Sequence, residues 1–136
     1  LDKLPYFIKK RKQNWKRLSD ALSDLDDKLI LPKPTENSDP SWFGFLMAVR
    51  PESGLNRDTV TRYIESHNIQ TRLLFSGDLI KQPCFDELRG TNAYRVVGGL
   101  ENTDFIMKNA FWVGVYPGMT EAMIDYMAQI IREAVK

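Results

Sequence analysis

Trp42–Val49, WFGFLMAV, is an unbroken apolar run bordered by turn-forming residues. Its length and its continuous apolar character are typical of a buried strand. A second run of this kind, FWVGVY, occupies Phe111–Tyr116. Helical patterns lie before, between and after the two runs. The sequence therefore predicts a small α+β domain in which a mostly antiparallel sheet is packed with helices.

The residues before the first strand predict one long helix over 2–31. Apolar side chains recur there at spacings of three, four and seven, at Leu4, Phe7, Ile8, Trp15, Leu18, Leu22, Leu25 and Leu29. Pro32 and Pro34 would end this helix. We therefore expect a single domain over 1–136, in which 1–34 form a long linking helix and its exit and 35–136 form the α+β body.

Further elements follow from capping residues and periodicity. Asn56 or Asp58 could cap a helix that runs to about Ser66, and Ile69–Phe75 predicts a strand. Shorter signals suggest a strand over 95–97 and a helix capped by Asn102 that contains Phe105, Ile106 and Ala110. Thr120 would cap a final helix, whose apolar stripe consists of Met123, Met127, Ile130, Ile131 and Ala134.

Composition limits the classes of function. The 136 residues are 43% hydrophobic and 27% charged with a net charge of +1, which is ordinary for one globular domain. The charge gives no argument for nucleic-acid binding, and no apolar run is long enough to span a bilayer. The single cysteine, Cys84, excludes an internal disulfide and a multi-cysteine cluster within this chain. A cytoplasmic location is the default.

Two residues could be mistaken for catalytic groups. His67 is the only histidine and lies near the end of a predicted helix. No acid or nucleophile stands at a spacing typical of a catalytic pair, which favours a structural role. Cys84, between Pro83 and Phe85, is interpreted as a small buried hydrophobic residue. The basic residues of the first helix favour a solvated helix face over a nucleic-acid or lipid site. We therefore assign no catalytic, cofactor-binding or metal-binding residue to this chain.

Arg72 is the best candidate for a functional residue. An arginine amid apolar strand residues needs a carboxylate, a phosphate or hydroxyl groups, because burial of its charge alone is costly. Its planar fork suits sugar hydroxyls and phosphates. A structural ion pair or a solvent-facing strand position would explain it equally well. Gln70 is two residues away, so both side chains would lie on one face of the strand.

Three blocks of this sequence resemble a known family. They are WFGFLMAV at 42–49, QTRLLFSGDLIKQP at 70–83 and FWVGVYPGMT at 111–120. The chain resembles the C-terminal part of DegT-type sugar aminotransferases, and within them the branch of nucleotide-sugar 3-dehydrases. The resemblance implies the small C-terminal domain of an aspartate aminotransferase-type fold. It also implies that the chain is a fragment of a larger enzyme.

The resemblance implies an activity only for that larger enzyme. It would remove the 3-hydroxyl of CDP-4-keto-6-deoxy-glucose for O-antigen lipopolysaccharide, using pyridoxamine or pyridoxal 5′-phosphate and a [2Fe–2S] cluster. Neither cofactor would be held by this fragment alone, and His67 and Cys84 match neither cofactor site. The implied partners are the missing N-terminal large domain, the nucleotide sugar, a flavin/iron–sulfur reductase and a second copy in a homodimer. Nucleic acid and membrane are not implied.

Within this chain, the resemblance gives Arg72 a substrate-positioning role, with Gln70 in support. Relatives often carry an acidic residue at the position of Gln70 and asparagine at the position of Asp78. Two alternatives stay open at this point. The parent could be an ordinary sugar aminotransferase, which would have lysine instead of histidine at the upstream cofactor position. The chain could also be a non-enzymatic α+β ligand-binding or regulatory module.

Overall fold

A four-stranded antiparallel sheet forms the centre of the computed structural model, which describes all 136 residues. Its strands are β1 (Leu29–Ile30), β2 (Gly44–Val49), β3 (Thr71–Arg72) and β4 (Ala110–Gly114). The spatial order is β1-β2-β4-β3, so the two long apolar strands lie side by side in the middle. The predicted α+β domain with an antiparallel sheet packed with helices is confirmed.

Three of the four α-helices cover one face of this sheet. The helices are α1 (Leu4–Leu22), α2 (Arg57–Ser66), α3 (Glu101–Asn109) and α4 (Glu121–Ala134). Side chains of α1, α2 and α4 join the inner residues of the strands in one hydrophobic core, whereas α3 contributes no buried residue and packs beside β2 and β4. Short 3₁₀ helices occupy Pro51–Ser53, Leu79–Lys81 and Pro83–Leu88. None of the helices combines the length and apolar composition needed to cross a membrane.

Alternation along the central strands creates the two faces of the sheet. Phe45, Met47 and Val49 of β2 are each at most 1% exposed and point into the core, as do Phe111 and Val113 of β4. The residues between them point to the opposite side, because successive strand side chains alternate. We call that side, which α1, α2 and α4 leave uncovered, the outer face.

Caps fix the starts of two helices as the sequence predicts. The side chain of Asn56 accepts hydrogen bonds from the backbone N–H groups of Asp58 (2.8 Å) and Thr59 (3.2 Å). Thr120 accepts from the N–H of Met123 at 3.2 Å. These bonds satisfy N–H groups that the first turn of a helix leaves without partners.

The long helix predicted over 2–31 is wrong beyond Leu22. After a turn, Leu29 and Ile30 pair with Val49 and Ala48 in the sheet. Leu29 is fully buried as a strand residue, although its spacing from Leu22 fits a helix. Acidic residues at 24, 26 and 27 are unfavourable at a helix C-terminus, which agrees with the early end.

Other boundaries also differ from the predictions. The strand expected over Ile69–Phe75 is reduced to Thr71–Arg72, and no strand forms over 95–97. The helix expected to be capped by Asn102 starts earlier, at Glu101 after Leu100, and Ala110 belongs to β4. In α4, Met123 is 48% exposed, and Ile124, at 1%, takes the inward position instead.

Two basic side chains of α1 pair with acids from other elements. Arg17 donates to Asp125 (2.7 and 2.8 Å) and to Glu121 (2.9 Å) of α4, and Lys12 pairs with Asp39. The hydrogen bond from Arg17 lowers the pKa of Asp125. These exposed contacts agree with a solvated helix face, and those of Arg17 join α1 to α4.

Candidate functional site

The outer face carries a row of three side chains across neighbouring strands. Leu46 of β2 pairs with Trp112 of β4, and Trp112 pairs with Arg72 of β3. Residues in direct register share one face of an antiparallel sheet. Leu46 is 37% exposed and Arg72 is exposed, so the row is open to solvent. The candidate arginine thus lies on an open apolar surface at the edge of the sheet.

Arg72 has no acidic partner in this structure. Its guanidinium donates to the backbone oxygen of Thr71 at 2.8 Å and to Oε1 of Gln70 at 3.2 Å. No carboxylate lies within ion-pair distance, although ten other basic–acidic contacts occur in the chain. A structural ion pair therefore does not explain this residue. Its charge and several of its five N–H groups are available to an oxygen-rich ligand.

Gln70 lies beside Arg72, as the two-residue spacing predicts. The bond from the guanidinium to its Oε1 orients both side chains, and Gln70 itself is exposed. Gln70 also borders a groove of about 430 Å³ whose other walls include Tyr116, Met119 and Tyr126. The structure thus brings the two predicted site residues together at the boundary between this groove and the outer face.

An aromatic cavity of about 440 Å³ opens on the outer face next to this row. Its lining is mostly apolar, with one lysine at the side: Pro32, Lys33, Trp42, Phe43, Gly44, Leu46, Leu74, Phe75 and Trp112. Phe43 is 61% exposed and Phe75 is 83% exposed, which is unusual for residues of this size. An open apolar surface of this kind marks a place where another protein segment or a ligand packs.

The ring of Trp112 occupies space that a side chain on Gly44 would need. A Cβ at Gly44 would lie 2.7 Å from Cε3 of Trp112, and Phe43 meets the same ring edge-on at 5.3 Å between centroids. Only glycine leaves room for the indole in this position. The glycine in WFGFLMAV therefore shapes the floor of the aromatic cavity.

We expect Gly44→Ala to displace Trp112 and to destabilise the chain by about 1–3 kcal/mol, the usual range for overpacking. Tryptophan fluorescence and near-ultraviolet circular dichroism would report the changed indole environment, and urea unfolding would give the cost. Gly114→Ala is the matched control, because a Cβ there meets no atom within 4 Å. Equal effects of both substitutions would contradict this account.

The structure supports a structural role for His67. It caps the C-terminus of α2, its Nδ1 lies 2.8 Å from the backbone oxygen of Tyr63, and its ring packs at 4.5 Å from the ring of Tyr63. Cys84 is exposed, so the prediction that it is buried is wrong; it lies in the 3₁₀ helix Pro83–Leu88, which has no buried residue. No three His, Cys, Asp or Glu side chains come together as a metal site.

Sequence reasoning missed the aromatic residues of the outer face. A strand that is apolar on both faces is typical of a sheet that is covered on both sides. WFGFLMAV has this pattern, because Phe45 and Met47 face the core while Leu46 faces outward. The same holds for Phe111 and Trp112 in β4. The pattern could have indicated a second, covered face from the sequence alone.

The comparisons with known proteins agree on one family. The sequence profile of the DegT/DnrJ/EryC1/StrS aminotransferase family matches residues 1–132. The chain is 44% identical over 135 residues to dTDP-4-dehydro-2,6-dideoxy-D-glucose 3-dehydratase of Saccharopolyspora spinosa, covering 99% of this chain and 28% of that protein. It is 43% identical over 133 residues to the lipopolysaccharide biosynthesis protein RfbH of Salmonella typhimurium strain LT2, covering 98% and 30%.

A solved structure agrees with these relatives. GDP-4-keto-6-deoxy-D-mannose-3-dehydratase of E. coli, solved with bound hydrated PLP, superposes with a TM-score of 0.82 at 28% identity and covers 96% of this chain and 32% of that one. The chain thus spans roughly a third or less of the proteins that it resembles, while each of them accounts for nearly all of it. With the profile matched from residue 1 to residue 132, the chain belongs to the DegT/DnrJ/EryC1/StrS aminotransferase family.

Proposed function

We propose that this chain is the small C-terminal domain of a pyridoxamine-phosphate-dependent nucleotide-sugar 3-dehydrase, in which it closes the substrate side of the active site. The observation that carries the proposal is identity above 40%, along almost the entire chain, to a named sugar 3-dehydratase and to a lipopolysaccharide biosynthesis protein. CDP-4-keto-6-deoxy-glucose, as a precursor of O-antigen sugars, is the substrate to test first.

The outer face supports a role as one domain of a larger protein. Both central strands are apolar on both sides, yet α1, α2 and α4 cover only one side; on the other side Ala48 and Ala110 are buried, whereas Leu46 is 37% exposed. The part of each relative that this chain does not match is more than twice as long as the part that it matches. We propose that the large domain of the parent packs against the outer face and the aromatic cavity.

Arg72 and Gln70 are the residues of this chain that we propose to position the substrate. A nucleoside-diphosphate sugar offers phosphate oxygens and hydroxyl groups, which match the free N–H groups of an unpaired guanidinium. Gln70 holds the guanidinium at 3.2 Å and limits its rotation. These two side chains bind and orient in this proposal, and neither takes part in proton transfer.

We propose that this chain holds neither cofactor alone. Its one histidine is bound to its own helix and its one cysteine stands alone. Pyridoxamine phosphate and a [2Fe–2S] cluster are therefore proposed for the large domain. Exchange of the 3-hydroxyl for hydrogen consumes two electrons and two protons and releases water, so a flavin/iron–sulfur reductase is the proposed electron donor. A homodimeric, cytoplasmic parent completes the proposal.

The decisive experiment uses the full-length protein. With the CDP sugar, pyridoxamine phosphate and a reductase, we expect a product that has lost one oxygen atom by mass spectrometry, and histidine at the upstream cofactor position. Formation of an amino sugar from an amino donor, with lysine at that position, would instead identify an aminotransferase. CDP, dTDP and GDP sugars tested in parallel would identify the nucleotide.

A second experiment tests the role of the fragment. The 136-residue chain mixed with pyridoxamine phosphate should retain no stoichiometric chromophore after gel filtration and should turn over no sugar. Native mass spectrometry with nucleotide, nucleotide sugar and short DNA provides the comparison. Tight, specific binding of any of these by the chain alone would favour a self-sufficient ligand-binding or regulatory module over the proposed function.

A further inference from the structure

Asp78 is a buried carboxylate shortly after the strand that carries Arg72. The residue is 2% exposed. Its Oδ1 accepts a hydrogen bond from the backbone N–H of Ile80 at 3.2 Å, whereas its Oδ2 is buried and has no hydrogen-bond partner. A buried carboxylate oxygen without a donor is costly. A nearby positive charge would offset part of this cost.

Lys81 supplies that charge and connects the carboxylate to α3. Its Nζ lies 3.6 Å from Oδ2 of Asp78 and also binds the carboxylate of Asp104. The hydrogen bond from Lys81 lowers the pKa of Asp104, with Lys108 adding to the effect, and the same bond raises the pKa of Lys81. One lysine thus lies between two carboxylates, one from the segment after β3 and one from α3.

Backbone packing fixes the same segment at a second point. Gly77 has φ +62°, and a Cβ there would lie 2.5 Å from Cγ of Met107. The N–H of Asp78 donates to Sδ of Met107 at 3.3 Å. Residues 77–81 are therefore held against α3 by Met107 and by the Asp78–Lys81–Asp104 group, and α3 continues directly into β4.

Only residues 73–76 connect this attachment to Arg72. At one end, Arg72 is fixed by its pairing with Trp112, and at the other end Gly77 is fixed by Met107. Between them, Phe75 is 83% exposed and has φ +49°, a backbone conformation that is unfavourable for an aromatic residue. A strained backbone conformation persists where the surrounding structure holds it, and here both ends of the loop are held.

We propose that Asp78 is a positioning residue: with Lys81 and Asp104 it attaches the loop 73–76 to α3, and thereby sets where Arg72 meets the substrate. The part concerning substrate rests on the proposed function above. The part concerning attachment rests only on the contacts of Asp78, Lys81 and Asp104. The two parts are tested by different readouts.

The test compares Asp78→Leu, Asp78→Asn and Lys81→Met in the full-length protein. Leucine removes both the cap on Ile80 and the contact with Lys81, so we expect KM for the nucleotide sugar to rise about tenfold with kcat within about threefold, the pattern of lost uniform binding. Asparagine keeps the acceptor for Ile80 but loses the negative charge that Lys81 contacts, so its KM should lie between those of the parent protein and Asp78→Leu. Asp86→Asn is the control, because the Asp86–Arg89 contact is an exposed pair of the same i, i+3 spacing.

Hydrogen exchange in the same variants measures the attachment without any substrate. The hydrogen-bonded amides of Phe75, Asp78 and Lys81 should exchange about tenfold faster in Asp78→Leu and Lys81→Met than in the parent protein or in Asp86→Asn. If Asp78→Leu does not fold, Lys81→Met decides, since its side chain is 46% exposed. Unchanged exchange in Asp78→Leu and Lys81→Met, together with KM values within about twofold of that of the parent protein, would overturn the proposal. Absence of any sugar turnover would contradict the proposed function. The exchange data would still decide whether Asp78 attaches the loop 73–76 to α3.

Discussion

Arg72→Ala in the full-length protein should lower kcat/KM for the nucleotide sugar by roughly 10- to 100-fold while leaving the fold intact. A hydrogen bond to a charged group contributes about 1.5–3 kcal/mol, and each 1.4 kcal/mol corresponds to about a factor of ten. Arg72 has no acidic partner in this domain, and its guanidinium bonds only to Thr71 and Gln70. Its removal should therefore change the free energy of unfolding by no more than about 0.5 kcal/mol. Steady-state kinetics and urea unfolding measure the two quantities.

Further variants separate the charge of Arg72 from its shape. Arg72→Lys keeps the charge but loses the planar fork, so we expect it to recover only part of the lost kcat/KM. Gln70→Ala should have a smaller effect than Arg72→Ala, because Gln70 acts through the guanidinium. Arg62→Ala is the matched control, since Arg62 is an exposed arginine on α2 with no ion pair. Unchanged kinetics for Arg72→Ala would remove Arg72 from the site.

Much of the fold was predictable because local signals and tertiary packing agree. The cap at Asn56, the cap at Thr120 and the apolar run of β2 each specify an element that the structure contains. The boundary after Leu22 was not predictable from periodicity. Leu29 has helical spacing from Leu22, but its burial comes from pairing with Val49, and this contact is long-range.

The site was predictable only in part, for a similar reason. The i, i+2 spacing places Gln70 and Arg72 together, whereas the lack of an acidic partner for Arg72 depends on which elements fold next to β3. The attachment of Asp78 to Asp104 through Lys81 joins residues far apart in sequence, so no local pattern reveals it. The apolar character of both strand faces was visible in the sequence, but only the structure shows which face is left uncovered.

The second large effect concerns the core: Phe45→Ala should destabilise this chain by about 3–5 kcal/mol, the range for removal of a buried aromatic ring. Phe45 is fully buried, lies opposite Val113 and packs at 5.2 Å from the ring of Trp15. Domains of this kind are stable by only about 5–15 kcal/mol, so much of the chain's stability would be lost. Urea unfolding followed by far-ultraviolet circular dichroism measures the change.

Phe43→Ala makes the same chemical change on the outer face of the sheet and tests the proposed contact with the large domain. Phe43 is 61% exposed and touches Trp112, so in this chain its loss should cost no more than about 1 kcal/mol. If the large domain packs on the outer face, the same substitution should cost about 2 kcal/mol more in the full-length protein, because the ring is then buried. Equal costs in the two proteins would show that Phe43 stays exposed, and the outer face would no longer support a contact with the large domain.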